Sequence, residues 1–243
     1  IDVLAESGLV DLAWRDAFAN SASPYYSLPA FLVRKDNPKG IQDWDDLVKE
    51  GVQVVFPNPK TSGNARYTYL AAYAYALDKN AGDHAKAQEF VKALFANVPV
   101  FDQGGRASTV TFAEKEIGDV LITFEAETGG IAKEYADKGF VRVTPSLSLY
   151  SEFPVAVVAE NAKKNGSEEV SKAYLDFLYT PEAQALAFKH FYRGWDTSAA
   201  NPEDVARFPQ MQLVGIEDFG GWGKAQPEHF GDGGIFDQIY TGM

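Results

Sequence analysis

The run Val54-Val55-Phe56-Pro57-Asn58-Pro59-Lys60-Thr61-Ser62-Gly63-Asn64-Ala65-Arg66 passes from a β-type apolar stretch through a proline-bounded turn into a helical pattern. Such a turn can hold an anion. The first N–H groups of a helix have no partner inside it, the macrodipole adds partial positive charge there, and Gly63 lets a ligand come close to the backbone. The Ser62 hydroxyl is a further donor. A plainer reading has Ser62 capping its own helix and nothing more.

A second turn of the same kind follows in Phe101-Asp102-Gln103-Gly104-Gly105-Arg106-Ala107-Ser108-Thr109, where two glycines expose backbone N–H groups. Arg106 can reach a ligand oxyanion or brace the loop against an acidic neighbour. Phe124 stands at the carboxyl end of the strand-like run Val120-Leu121-Ile122-Thr123-Phe124, a position that lines a ligand crevice in open α/β lobes or simply packs in a core. Glu125 and Glu127 resemble an acid–base pair, yet two acids one residue apart on an acidic chain are ordinarily solvated or capping the following helix. His84, His190 and His229 lack metal-ligand spacing, and no nucleophile elbow, P-loop, dinucleotide turn or calcium loop occurs. The residues therefore indicate neither catalysis nor a metal nor a cofactor.

The elements that must position these turns are legible in the apolar periodicity. Runs at 31–33, 52–56, 98–101, 120–122, 141–143 and 155–158 predict strands. The spacing of Ala65, Tyr69, Ala72, Tyr73, Ala76 and Leu77, and of Ala87, Phe90, Val91 and Leu94, predicts two amphipathic helices. Asp43, Ser167 and Thr180, the last followed by Pro181, read as helix starts. The stretch from Ser198 to Met243, rich in Gly, Pro and aromatics, reads as irregular structure packed on a domain. With 46% apolar and 14% aromatic residues in 243, the chain can bury a large core. Its formal charge of −12 repels phosphate backbones, which excludes a nucleic-acid partner, and any anion site must work through short-range donors. No apolar run is long enough to span a membrane, so the chain is not membrane-embedded. It has no Cys, which removes thiolate chemistry and disulfides.

Phe31-Leu32-Val33-Arg34-Lys35-Asp36-Asn37-Pro38-Lys39, Pro57 to Arg66, and Ile117-Gly118-Asp119-Val120-Leu121 together resemble the periplasmic sulfate-binding proteins of ABC importers. Phe219-Gly220-Gly221-Trp222-Gly223-Lys224-Ala225-Gln226 and Gly233-Gly234-Ile235-Phe236-Asp237-Gln238-Ile239 extend the resemblance along essentially the whole chain. It implies an α/β, two-lobed, type II periplasmic-binding-protein-like fold that closes on its ligand about a hinge. The implied first lobe comprises 1–42 and 151–243 with the C-terminal segment, and the second lobe 43–150. Sulfate or a related oxyanion is the implied ligand, importer membrane subunits the implied partner and the periplasm the implied location. By matching motif, Ser62, Gly63 and Asn64 supply a hydroxyl and helix-start N–H groups, and Gly105 another N–H beside Arg106.

Two positions depart from the family pattern. Phe124 stands where the family has an indole donor, a loss of about 1.5–3 kcal/mol for one hydrogen bond to a charged group, and Asn64 stands where Gly is common. Thiosulfate, molybdate or an organosulfonate therefore compete with sulfate as the ligand, and the effector domain of a transcription regulator is a second class with a similar fold. The resemblance also implies strand and helix units ahead of a helix at Asp2 to Gly8. With that part of the first lobe absent, the strands at Phe31 and Val155 are expected to expose apolar faces.

Overall fold

Pro29–Val33 is buried at every position, as is Val54–Pro57, and runs with no polar face need cover on both sides. They are strands β1 (Pro29–Val33) and β2 (Val54–Pro57) of a five-stranded sheet that also holds β3 (Phe101–Asp102), β4 (Val120–Phe124) and β5 (Val141–Val143) in the order β3-β2-β4-β1-β5. β2 runs parallel to β3 and β4, while β1 is antiparallel to both β4 and β5. Helix α1 (Gly63–Lys79) follows β2, α2 (His84–Ala96) precedes β3, α3 (Gly105–Ala113) follows β3 and α4 (Glu125–Glu134) follows β4. Because β2, β3 and β4 are parallel and each feeds a helix, the amino ends of α1, α3 and α4 open on one edge of the sheet.

The computed structural model describes residues 1–241. Its first compact unit joins Ile1–Ser27 to Glu152–Phe208, and its second joins Leu28–Ser151 to the segment from Pro209 onward. The first unit is mostly helical, with Tyr25 and Tyr26 paired antiparallel to Gly194 and Arg193 and a small cluster of Ala5, Val10, Trp14 and Ala22. The second holds the sheet. The grouping expected from the resemblance put 1–42 together with 151–243, whereas here 28–42 and the described residues from 209 onward group with 43–150. Hydrogen bonding explains the first part: β1 is laced to strands on both sides and cannot be separated from them.

Local signals held where they rested on backbone chemistry. Asp43 accepts from Trp44 N–H at 2.9 Å, and Asp46 reaches back to the Asp43 N–H at 3.0 Å, a capping box on a short 3₁₀ helix. Thr180 accepts from Ala183 N–H ahead of a helix with Pro181 at its first position. Ser167 starts a helix without a side-chain cap; its hydroxyl donates instead to Ala162 O at 3.4 Å.

Four expectations are corrected. Helix α1 is not amphipathic: Ala65 and every residue from Thr68 to Ala76 are buried. The Leu147–Leu149 strand packs on it, and Phe230 and Phe236 of the C-terminal segment meet its Tyr69 ring. That segment is more ordered than its composition indicated, with a strand at Gln212–Val214 pairing Leu147–Leu149 and a helix at Ile235–Thr241. Residues 155–158 form no strand and lead instead into a helix at Ala159–Asn165. Phe31 is fully buried inside the sheet; the exposed apolar side chains of the first unit include Val3, Leu12, Val170 and Tyr174.

The connection from α3 to β4 depends on Arg34. Its guanidinium donates to Gly118 O at 2.7 and 3.0 Å, to Ile117 O at 3.1 Å and to Phe112 O at 3.1 Å, and lies 3.9 Å over the Phe112 ring. Gly118 has φ +83°, and a Cβ there would come within 2.5 Å of Val55 Cγ2 on β2. Gly118→Ala is therefore expected to lower unfolding free energy by about 2–3 kcal/mol, through left-handed strain and overpacking together, as measured by urea denaturation.

His229 is buried against Tyr69, Tyr73, Phe219 and Phe230. Its Nδ1 is 3.1 Å from the Tyr69 hydroxyl. Burial pushes its imidazole from an ordinary 6.5 down to about 4, so the folded protein resists protonation that the unfolded chain accepts. The stability this contributes is complete above about pH 6.5 and is lost as pH falls from 6.5 towards 4. Denaturant midpoints should fall between pH 7 and pH 4.5, and the fall should be smaller in His229→Gln.

Candidate anion-binding site

The turn out of β2 is tied down before it becomes helix. Asn58 accepts from the Lys60 N–H at 2.8 Å through its side chain, and its carbonyl accepts from Thr61 and Ser62 N–H, each at 3.0 Å. Arg66 donates back to Pro59 O at 2.9 Å and to Lys60 O at 3.3 Å. The Lys60 ammonium is spent elsewhere, on Phe230 O, Gly231 O and the Asp237 carboxylate, the last at 2.8 Å. That ammonium holds Asp237 below the usual carboxylate range.

The turn out of β3 is bound to the first one. Asn58 N–H donates to Asp102 O at 2.7 Å, and the Thr61 hydroxyl donates to Gln103 O at 2.8 Å. These bonds set the amino end of α3 beside that of α1. The side-chain nitrogen of Asn64 lies 3.9 Å from the point a Cβ on Gly105 would occupy. Gly63, Asn64, Gly105 and Arg106 are the first two residues of α1 and of α3, and among the described residues their N–H groups find no hydrogen-bond acceptor. Each helix is long enough, at 17 and 9 residues, to carry a useful dipole at that end.

Ser62, Gly63, Asn64 and Gly105 are thus brought together. Ser62 is buried and caps α1, its oxygen accepting from Ala65 N–H at 3.5 Å; that contact leaves the hydroxyl hydrogen to donate. Gly63 is exposed and Asn64 half-buried. Phe124 ends β4 and meets the same first turns of α1, its ring 5.7 Å from that of Tyr67, which in turn lies 5.1 Å from Trp222. Arg106 is not part of the group: its guanidinium pairs with Glu134 at 3.3 and 3.4 Å on an exposed surface, which is the bracing alternative.

Sequence reasoning passed over Thr123, and it read Glu127, with Glu125, as a solvated or helix-capping acid in preference to an acid–base pair. Glu127 is at the third position of α4, but its carboxylate accepts from the Thr123 hydroxyl and from the Asn64 amide at 3.3 Å. Asn64 also donates to Thr123 Oγ1 at 3.0 Å. Only the parallel pairing of β2 with β4 makes these neighbours, so no spacing in the chain announces them. Glu125 is fully buried with Arg142 at 3.8 Å. His84 and His229 meet Tyr73 and Tyr69.

Comparison with known proteins gives this geometry its context. The family "Bacterial extracellular solute-binding protein" matches residues 1–193. The chain is 51% identical to a sulfate-binding protein of Escherichia coli over 98% of its own length and 73% of that protein's. It is 50% identical to a thiosulfate-binding protein of Pseudomonas aeruginosa over 99% and 73%. The solved structure of the sulfate-binding protein SubI from Mycobacterium tuberculosis superposes with a TM-score of 0.81 at 36% identity, covering 95% of this chain and 79% of that one. Two abutting helix starts with free amides and a fold shared along nearly all of its length lead to one statement: this chain belongs to the bacterial extracellular solute-binding proteins.

Proposed function

We propose that the chain captures sulfate, or the closely related thiosulfate, outside the cytoplasm and delivers it to an ABC-type importer, in bacteria with two membranes from the periplasm. The observation that carries this reading is the meeting of the α1 and α3 amino ends, where the N–H groups of Gly63, Asn64 and Gly105 have no partner among the described residues. Amides in such a position can replace the water around a small oxyanion. Similar identity to a sulfate-binding and a thiosulfate-binding relative supports both ligands. Reversible capture is the role, since membership is in a family of solute-binding proteins.

The donors chosen also explain selectivity. Main-chain N–H groups and a serine hydroxyl favour a fully deprotonated guest, whose oxygens all accept. A protonated oxyanion brings a hydroxyl that such donors cannot satisfy, at about 1–3 kcal/mol. Isothermal titration at pH 6, where much phosphate retains two protons, should give one-site sulfate binding, displacement by thiosulfate, and phosphate at least tenfold weaker. Absence of heat or displacement with every oxyanion would remove the proposal.

Side-chain variants separate the ligand contacts from the brace. Ser62→Ala should weaken sulfate binding about tenfold through loss of the hydroxyl, and should lower stability by about 1 kcal/mol through loss of the cap. Arg106→Ala should change sulfate affinity less than threefold, because its charge is directed at Glu134. Paired titrations and melting curves of the two variants give both quantities.

A further inference from the structure

A carboxylate of the protein's own stands at the edge where α1 and α3 begin. Glu127 Oε2 lies 3.8 Å from the Cβ position of Gly105, beside the Asn64 side-chain nitrogen at 3.9 Å from that same point. It accepts from the Thr123 hydroxyl and from Asn64 at 3.3 Å. Thr123 is buried, so its hydroxyl has little freedom to turn elsewhere. The Asn64 amide is oriented by the same contacts, and its Oδ1 is buried with no hydrogen-bond partner among the described residues. The Thr123 hydroxyl and the Asn64 amide are therefore already turned onto an anion that the chain itself supplies.

We infer that Glu127 is a built-in competitor at this site and sets its preference for ligand charge, an inference that rests on the oxyanion reading above. A negative side chain a few ångströms from the bound guest opposes it in proportion to the guest's charge. A dianion such as sulfate is penalised twice as strongly as a monoanion of similar shape. Glu127 is exposed, so water screens the repulsion without removing it. Replacing the carboxylate by a neutral amide lifts the penalty from both ligands, and from the dianion more. Asn64 and Thr123 are the positioning residues, since they hold the carboxylate where it acts.

The test is titration of the native protein, Glu127→Gln and Glu127→Asp with sulfate and with methanesulfonate, at pH 8 and low ionic strength. The ratio of sulfate to methanesulfonate affinity should rise about five- to tenfold in Glu127→Gln and stay near the native value in Glu127→Asp, which keeps the charge. The rise should shrink in 0.5 M sodium chloride, where the Debye length is only a few ångströms. Melting curves establish that both variants fold. Sulfate binding by Glu127→Gln alone would also support the inference, as the extreme case of the same effect. If both ligands change by the same factor, or neither changes, Glu127 is no competitor and the oxyanion reading stands without it. If neither the native protein nor Glu127→Gln binds sulfate, the oxyanion reading fails and takes this inference with it.

Discussion

Two hydrogen bonds between neighbouring turns set the rest of the site. The Asn58 N–H held by Asp102 O and the Thr61 hydroxyl held by Gln103 O keep the exits of β2 and β3 in contact as each strand becomes helix. Parallel strands deliver their chains to one edge, but only a bond between the turns makes the two helix starts abut. Without it, each would offer a few amides to water. With it, the amino ends of α1 and α3 lie side by side, so the partial positive charge of both is gathered at one place.

The cations near this edge are used for building. Arg66 gathers the carbonyls of Pro59 and Lys60, and Lys60 those of Phe230 and Gly231; Arg34 does the same for Phe112, Ile117 and Gly118 at the opposite edge of the sheet. Arg106 is paired with Glu134. Guanidinium and ammonium groups thereby satisfy the backbone acceptors that irregular turns leave over, and the turns become rigid. The donors that remain for a guest are uncharged, main-chain N–H groups and short polar side chains, with the Glu127 carboxylate beside them. A net charge of −12 is compatible with anion capture on these terms, because preorganised donors act at contact distance while the long-range field is screened by salt.

Helix α1 joins the site to the core. Its first turn carries Gly63 and Asn64 at the sheet edge, and its middle is buried on all sides. Tyr69 and Tyr73 contact the buried His229 and the C-terminal aromatics. A helix enclosed in this way cannot slide or rotate without disturbing close-packed side chains, so the position of its amino end is inherited from the core.

Much of this was legible along the chain. Apolar runs located β1, β2, β4 and β5, capping chemistry located the helix starts at Asp43 and Thr180, and proline and glycine marked the two turns that matter, because each of these signals is local. Ser62, Gly63, Asn64 and Gly105, the donors proposed here, were singled out by the same backbone arithmetic and by resemblance, and the structure places them side by side. The sequence alone could not decide which way Arg106 turns, and tertiary packing settles it on Glu134. Nor could it show that α1 is covered on every side, or that 28–42 belongs inside the sheet, since both depend on pairings between distant segments. The convergence of Asn64, Thr123 and Glu127 is the clearest case. Thr123 and Glu127 lie 59 and 63 positions from Asn64 along the chain, and only the pairing of β2 with β4 brings them within hydrogen-bond distance of it.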